Sequence, residues 1–550
     1  MATPDPPSRP RTAHPPADAV RRSRSDLSAT VGWALVGLIT LTVLVTWSPS
    51  LTAGLGDNHE GRILARHALN VQNAQADGLA ASGWLSDWSP YAGSDQGDQT
   101  SYAHHPPLMN LGYYLTGQAL PVRLDTAMRL FSYLSGLALL PIGAAVLRRL
   151  GFRWVPVLVA TVAIAVTPLF WVYGRLSGAV TLLLAMTLVI VRLREDRPIS
   201  DLELGVAAVI CLAAVVAGYL GLAAAALLGL ALLATRGVDR VTVVIGAAMA
   251  LGAAITAAYV LGGTGISAIG DQVQLRTQGG AFTAGEFLTR IGRWATELLP
   301  AWWRWLLLPL ALIAGTVDRR SRALTLLLTV VAAAYIFGLP NGSFIHDYWI
   351  FPVLLPVWVG TAALATGLGE LARGRADAVL VGVGVLILLV GIGGLVRAEV
   401  PATYLGGPEA AGDLARATSP AADQRAAWRT DGLAAPRWLS LYWDLPPAVV
   451  ERDGLDAVGA DHLVFVALDR VPPWLDAGEL RATAVDREGG YAVVTGDHLR
   501  RLADEGGETP SPAMLTRDDR PPCWAITDRA GWRTSPLRRA AGCRAARPRS

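Results

Sequence analysis

The sequence predicts a polytopic α-helical membrane protein with a small α/β region at its C-terminal end, and three observations predict it. Hydrophobic residues make up 52% of the 550 residues and charged residues only 17%. With a mean hydropathy of +0.38, that balance is rare for a soluble chain of this length. Eleven apolar runs reach or approach the length of a bilayer span. Finally, the basic residues are all arginine, with no lysine, and they collect in alternate connections between those runs. A net charge of +3 is too small to point to nucleic acid as a partner.

Taken in order, residues 1–29 are rich in Pro and Arg without an apolar run, which predicts a disordered cytoplasmic tail and not a cleaved signal peptide. The apolar runs follow at about 30–50, 127–147, 154–172, 176–192, 203–218, 219–235, 241–262, 302–316, 323–339, 348–368 and 378–396. With the tail inside, the inner connections hold Arg148, Arg149 and Arg153, then Arg192, Arg194 and Arg197, then Arg236 and Arg240. Arg319, Arg320 and Arg322, and finally Arg373 and Arg375, complete them. The other side has two long loops, 51–126 and 263–301, with few arginines for their length, so the pattern obeys the positive-inside rule. Reading 203–235 as one helix would invert everything after it. Gly218-Tyr219-Leu220-Gly221 must therefore be a turn.

An odd number of spans starting inside makes residues 30–397 the membrane domain and places 398–550 outside the cytoplasmic membrane. There the chain becomes polar, and short apolar runs (HLVFVALD, YAVVTGD) alternate with the amphipathic DHLRRLADE, the pattern of a small α/β domain with a loose basic end. An oxidising compartment suits a disulfide between Cys523 and Cys543. Trp302, Trp303 and Trp305 before an apolar run predict an interfacial aromatic belt, and Arg290, Arg293 and Arg304 contacts to headgroups of membrane lipids.

The first outer loop, 51–126, holds the candidate chemistry. GDNHEGRILARHALN, Gly56 to Asn70, sets Asp57, His59, Glu60 and Arg62 just past the first span. Asp57-x-x-Glu60 has capping-box spacing, with Asp57 as N-cap and Glu60 reaching back to a free backbone donor. Ile63, Leu64, Ala68 and Val71 then share one face, which predicts an amphipathic helix on the membrane surface. Capping alone does not call for His59 and Arg62. Five of the eight histidines, His59, His67, His104, His105 and His346, sit in two outer loops, and that clustering suggests a shared site. His104-His105-Pro106-Pro107 is a rigid turn into a short helix, and the turn could present His105 to the acids.

An acidic motif after the first membrane helix, a long outer loop and a His-Pro-Pro-Leu turn before the second resemble the GT-C glycosyltransferases. The branch they resemble is the protein O-mannosyltransferase-like one (glycosyltransferase family 39 and the lipid A aminoarabinose transferases). Pro168-Leu169-Phe170-Trp171-Val172-Tyr173-Gly174-Arg175 is similar to that family's third-to-fourth helix junction, and the segment from His346-Asp347-Tyr348 to Pro352 and Pro356 is similar to its late Tyr-x-x-x-Pro-x-x-Pro segment. The likeness in arrangement spans residues 30–370. It implies a polyprenyl-phosphate sugar as donor, work at the outer membrane surface, and an acidic general base. The family's adjacent Asp-Glu is altered here. If Glu60-Gly61-Arg62 is the family's Glu-x-Arg, His59 stands at the Asp position; if Asp57 is the family Asp, the spacing has grown. The base is thus Asp57 or Glu60, with Asp57 favoured.

Transfer from a lipid phosphate to a hydroxyl of a cell-envelope acceptor requires a carboxylate to take the proton, and cationic groups to hold the departing phosphate. Arg62, whose planar fork suits phosphate oxygens, is the expected phosphate ligand, with His59, His104, His105, His346 and Tyr348 completing the cradle. One displacement at the anomeric carbon inverts its configuration. No cofactor is firmly predicted. Asp57, His59, Asp95, Asp98, His104 and His105 have the chemistry of divalent-cation ligands, but no spacing among them is diagnostic. A transporter or flippase of a lipid-linked glycan, which would place polar groups at the bilayer midplane, and a non-catalytic scaffold with a glycan-binding outer domain are the rival readings.

Overall fold

The computed structural model describes residues 28–372 apart from 57–58, 87–106, 196 and 278–281; beyond 372 it describes three isolated residues and a set of elements between 407 and 505. Each apolar run up to residue 368 coincides with a helix or helix pair. The first is α1, Ala29–Trp47, capped by Ser28. Next come α2, His59–Asp77, and α3, Leu108–Ala119, from the first loop. The second run is α4, Leu124–Leu137, continued after Ala138 by α5, Leu139–Arg149. The third breaks into α6, Trp154–Ala165, and α7, Pro168–Tyr173, bent by 72°. The break has a chemical cause: Thr167 caps α7 and Pro168 opens it, where a proline cannot continue α6. A 3₁₀ turn, Gly174–Leu176, then leads to α8, Gly178–Leu193.

The turn required at Gly218 is there: α9, Asp201–Ala217, ends on it and α10, Tyr219–Arg236, starts after it. The next helix differs from expectation. α11 runs from Arg240 to Thr277, so the beginning of the expected loop 263–301 continues a helix. The rest of that loop contains α12, Ala284–Leu298, opened by a capping box between Thr283 and Glu286. A π-turn at Trp303–Leu307 joins α13, Leu308–Val317, and the pair from α12 to α13 is bent by 117°. The tryptophans there are not a uniform belt, because Trp303 is fully buried while Trp305 is 77% exposed. Arg293 pairs with Glu297, Arg304 donates to Thr296, and Arg290 stacks on Trp294. α14, Arg322–Gly338, α15, Pro340–Ile345, a 3₁₀ stretch Asp347–Val353 and α16, Leu354–Leu371, follow.

By length and composition, five of these helices suffice to cross a membrane, or seven if each bent pair is one span. Gly178–Leu193 and Arg322–Gly338 are apolar but shorter. Most of the run 378–396 lies outside the described residues. The helices share one apolar core, and their outward faces keep leucines and valines exposed, as a helix bathed in lipid must.

The C-terminal elements are α17, Gly407–Ala417, α18, Arg437–Trp443, α19, Gly496–Glu505, and five strands. The strands are β1, Ala426–Arg429, β2, Ala448–Val449, β3, Leu463–Ala467, β4, Asp486–Glu488, and β5, Tyr491–Thr495, in the order β2-β1-β3-β5-β4. β1 pairs in parallel with β2 and β3, whereas β5 pairs antiparallel with β3 and β4. These elements share a second core with α2: Leu64, Ala68 and Val71 pack in one cluster with Leu414, Leu439, Trp443 and Phe465. The apolar face of α2 is therefore covered by the chain's own C-terminal elements and by α3, not laid on lipid. Periodicity identifies an apolar face but carries no information about what covers it. Cys523 and Cys543 lie outside the described residues.

Candidate functional site

The site forms where α2, α4 and the turn after α7 converge. Gly136 permits the approach of the last two: a Cβ there would lie 1.9 Å from the Gly174 carbonyl oxygen. With only hydrogen at that position, α4 passes directly against the 3₁₀ turn and Arg175 is delivered into the interior. Arg129, two turns earlier on the same face of α4, reaches the same place.

Between them lies Glu60, 4% exposed. Its Oε1 accepts from Arg129 Nε at 3.1 Å and from the Tyr133 hydroxyl at 3.2 Å. Its Oε2 accepts from Arg175 Nη1 at 3.0 Å, and the same nitrogen donates to the Tyr133 oxygen at 3.0 Å. Both arginines are almost wholly buried, at 0% and 1% exposure. The Arg175 guanidinium also lies over the rings of Trp47 and Tyr133, at 5.6 and 5.2 Å from their centroids. Burial alone would raise the Glu60 carboxyl, but Arg175 and then Arg129 outweigh it and hold the group below its ordinary value. A carboxylate so placed stays ionised and is a poor proton acceptor. Two guanidinium groups thus share this carboxylate, and Arg175 Nε is buried without a hydrogen-bond partner among the described residues.

The segment leading to Glu60 is held from two sides. Arg129 donates to the carbonyls of Ala53 and Gly54, the second at 3.1 Å. From the C-terminal elements, Asp413 accepts from the Gly54 amide at 2.8 Å and the Tyr442 hydroxyl from the Leu55 amide at 2.6 Å. Tyr442 donates in turn to Asp125 at 2.8 Å, one turn before Arg129 on α4. Gly54 and Gly412 meet backbone to backbone, since a Cβ on Gly54 would stand 2.3 Å from the Gly412 carbonyl carbon. α17 is thus fitted onto the strand of chain that enters the site.

The sequence-derived candidates divide. Glu60 is central, but its carboxylate binds arginines and a tyrosine and does not serve as the far half of a capping box. Arg62, in the first turn of α2, is exposed. His346 is half-buried and stacked on Tyr348, ring centroids 5.1 Å apart, and Tyr348 reaches Tyr173 at 6.0 Å. Three of the four segments that carried the family resemblance therefore meet: Arg175 joins the junction segment to Glu60, and Tyr173 joins it to Tyr348. Asp57, Asp95, Asp98, His104, His105 and the side chain of His59 lie outside the described residues. His67, in contrast, is half-buried with its ring 5.5 Å from that of Tyr113. Burial, with Arg66 adding to it and a hydrogen bond to Asn110 opposing, brings its imidazole down to about 4.

Arg129, Tyr133 and Arg175 were missed as site residues. A signal existed, because Arg129 is a charged residue inside the apolar run 127–147, and such residues mark functional or packing sites in membrane proteins.

No protein-family model and no curated protein matches the chain. Among solved structures, ArnT from Cupriavidus metallidurans bound to undecaprenyl phosphate matches 85% of this chain and 98% of its own, at 16% identity and a TM-score of 0.50. The same protein in the apo state matches at 17% identity over 86% and 99% of the two chains, with a TM-score of 0.48. The arabinofuranosyltransferase AftD from mycobacteria matches at 15% identity and 0.48, over 88% of this chain and 37% of AftD. At such identities what is shared is the fold, and the first match shows it: the chain has the fold of ArnT.

Proposed function

We propose that the protein is a membrane glycosyltransferase that moves a sugar from a polyprenyl-phosphate donor to a hydroxyl of a cell-envelope acceptor, with inversion. In this reading the chain crosses the cytoplasmic membrane eleven times with its N-terminus inside, and both loop 51–126 and the C-terminal region face outward. The observation that carries it is the Glu60–Arg129–Arg175–Tyr133 cluster, which joins the acidic motif to the Pro168–Arg175 segment through two buried guanidinium groups. The shared fold with an undecaprenyl-phosphate-bound protein agrees with a lipid phosphate at such a place.

Burial and two arginine partners leave Glu60 unfit to accept a proton, so Asp57 is the base. Three steps along the chain separate their Cα atoms, at most about 11 Å even when extended. The Asp57 carboxylate takes the acceptor's proton while the acceptor oxygen bonds the anomeric carbon and the bond from that carbon to the phosphate oxygen breaks. The leaving polyprenyl phosphate gains a negative charge, and the positive field of the arginine cluster favours it. Arg62, His346 and Tyr348 contact the donor.

Membranes carrying the protein and supplied with labelled polyprenyl-phosphate sugars test the reading. Transfer into envelope material is expected, and Asp57→Asn should lower it by at least about 100-fold. Equal transfer with and without the protein, across a panel of sugars, would overturn it.

A further inference from the structure

The chain enters the site through a segment that belongs to no helix or strand. Residues 52–56 follow the 3₁₀ turn Ser48–Leu51 and precede α2, and Gly54, Leu55 and Gly56 are buried. Buried backbone groups need partners, and a segment outside regular secondary structure must find them on other elements. α4 supplies some of them, since Arg129 donates to the Ala53 and Gly54 carbonyls. The C-terminal elements supply others. Asp413 on α17 accepts from the Gly54 amide at 2.8 Å, and the Tyr442 hydroxyl on α18 accepts from the Leu55 amide at 2.6 Å. Arg416 on α17 donates to the Thr52 carbonyl at 3.1 Å.

Packing ties the same segment to the same elements. Leu55 is fully buried in one cluster with Leu414, Leu439, Trp443 and Phe465, and Gly54 abuts Gly412 with no room for a Cβ on either. Tyr442 uses both roles of its hydroxyl: it accepts from Leu55 and donates to Asp125 Oδ2 at 2.8 Å, which bridges the segment to α4. Burial, and then the charge of Asp125, push the phenol well up from its ordinary value, so it stays protonated and keeps that donor. Five residues after Leu55 comes Glu60, held to the same helix by Arg129. The stretch in which the proposed base lies is therefore anchored at both ends, by the C-terminal elements at Leu55 and by the arginines at Glu60.

We propose that Asp413 and Tyr442 are positioning residues of the transfer site: the C-terminal elements hold Gly54 and Leu55, and through them the start of the reacting segment, where the chemistry requires it. The role rests on the glycosyl-transfer reading. Each residue acts through a backbone amide of the entering segment and not on the substrate. Reactive geometry is steep, and a displacement of about 1 Å can cost about 100-fold in rate. A segment whose amides lose their acceptors has no secondary structure of its own to bring it back into place. An effect on stability alone would leave the turnover of each folded chain untouched.

The full chain and its Asp413→Ala, Asp413→Asn and Tyr442→Phe variants test the role well below their unfolding temperatures. Kinetics are measured with the labelled polyprenyl-phosphate sugar that the wild type transfers, and hydrogen exchange is followed by mass spectrometry over residues 52–56. In Asp413→Ala and Tyr442→Phe, exchange in that segment should be at least about tenfold faster. In both, kcat per folded chain should fall by at least about tenfold while the donor KM stays within about twofold. Asp413→Asn keeps an oxygen that can accept from the Gly54 amide and should hold kcat within about threefold of the wild type. Unchanged exchange in both damaging variants, or faster exchange with unchanged kcat, would overturn the positioning role while the wild type's transfer leaves the reaction standing. A wild type that transfers no sugar of the panel would overturn the reaction, and the positioning role with it.

Discussion

The two ends of the helix pair Leu124–Arg149 use arginine in opposite ways. At one end Arg129, with Arg175, is sealed from solvent around a single carboxylate and the carbonyls of the entering chain. At the other, Arg149 is 39% exposed and Arg192 12%, beside an open cavity. The sealed set is fixed around a buried carboxylate, whereas the open set makes its ion pairs at a partly exposed surface. Arginine count says nothing about which is which; burial decides it.

The largest expected effect belongs to the sealed end. Glu60→Gln strips the shared carboxylate from two buried guanidinium groups, and should lower stability by about 3–5 kcal/mol. Thermal unfolding in detergent reads this directly. A variant that unfolds like the wild type would show the cluster to be solvated and erase the contrast.

Next in size is a pH effect beside the cluster. His67 binds its proton less readily in the folded chain than at its ordinary 6.5, so its contribution is complete above pH 6.5 and is lost as pH falls toward about 4. The full loss is on the order of 3 kcal/mol. The Glu60 contribution is also lost on acidification, but only as pH falls through its own lowered value, below the ordinary 4.5. His67→Gln should therefore flatten unfolding temperature between pH 6.5 and 4.5 and leave the more acidic loss in place.

The fold was largely readable because membrane helices announce themselves by length and arginine placement. The Gly218 turn followed from the arginine pattern alone. α12 was readable too, since Thr283-x-x-Glu286 is a capping box written in the sequence, but it lay in a stretch taken as a loop. The site was legible only in part. Glu60 and the Pro168–Arg175 segment could be found from the residues, whereas the contacts that define their roles are set by tertiary packing. The Leu55 amide meets Tyr442 across 387 positions, and the Gly54 amide meets Asp413 across 359. No periodicity or spacing encodes such a pairing. For the same reason Ile63, Leu64, Ala68 and Val71 could equally have faced lipid.

That long-range contact gives a smaller prediction. Tyr442→Phe removes a hydroxyl shared by the Leu55 amide and Asp125, and should cost about 1–3 kcal/mol, because a buried amide loses its acceptor. Unfolding temperature reads the cost, and a neutral result would separate the C-terminal elements from the Glu60 end. The smallest effect is expected at the open end, where Arg149→Gln should change stability by less than about 1 kcal/mol, as for other exposed ion pairs. A loss as large as that of Glu60→Gln would make the two ends alike.

Side-by-side transfer by wild type and Asp57→Asn, from a labelled polyprenyl-phosphate sugar and with unfolding temperatures recorded, bears most directly on the proposed chemistry. The account predicts transfer reduced by at least about 100-fold at an unchanged unfolding temperature. Undiminished transfer by Asp57→Asn would contradict it.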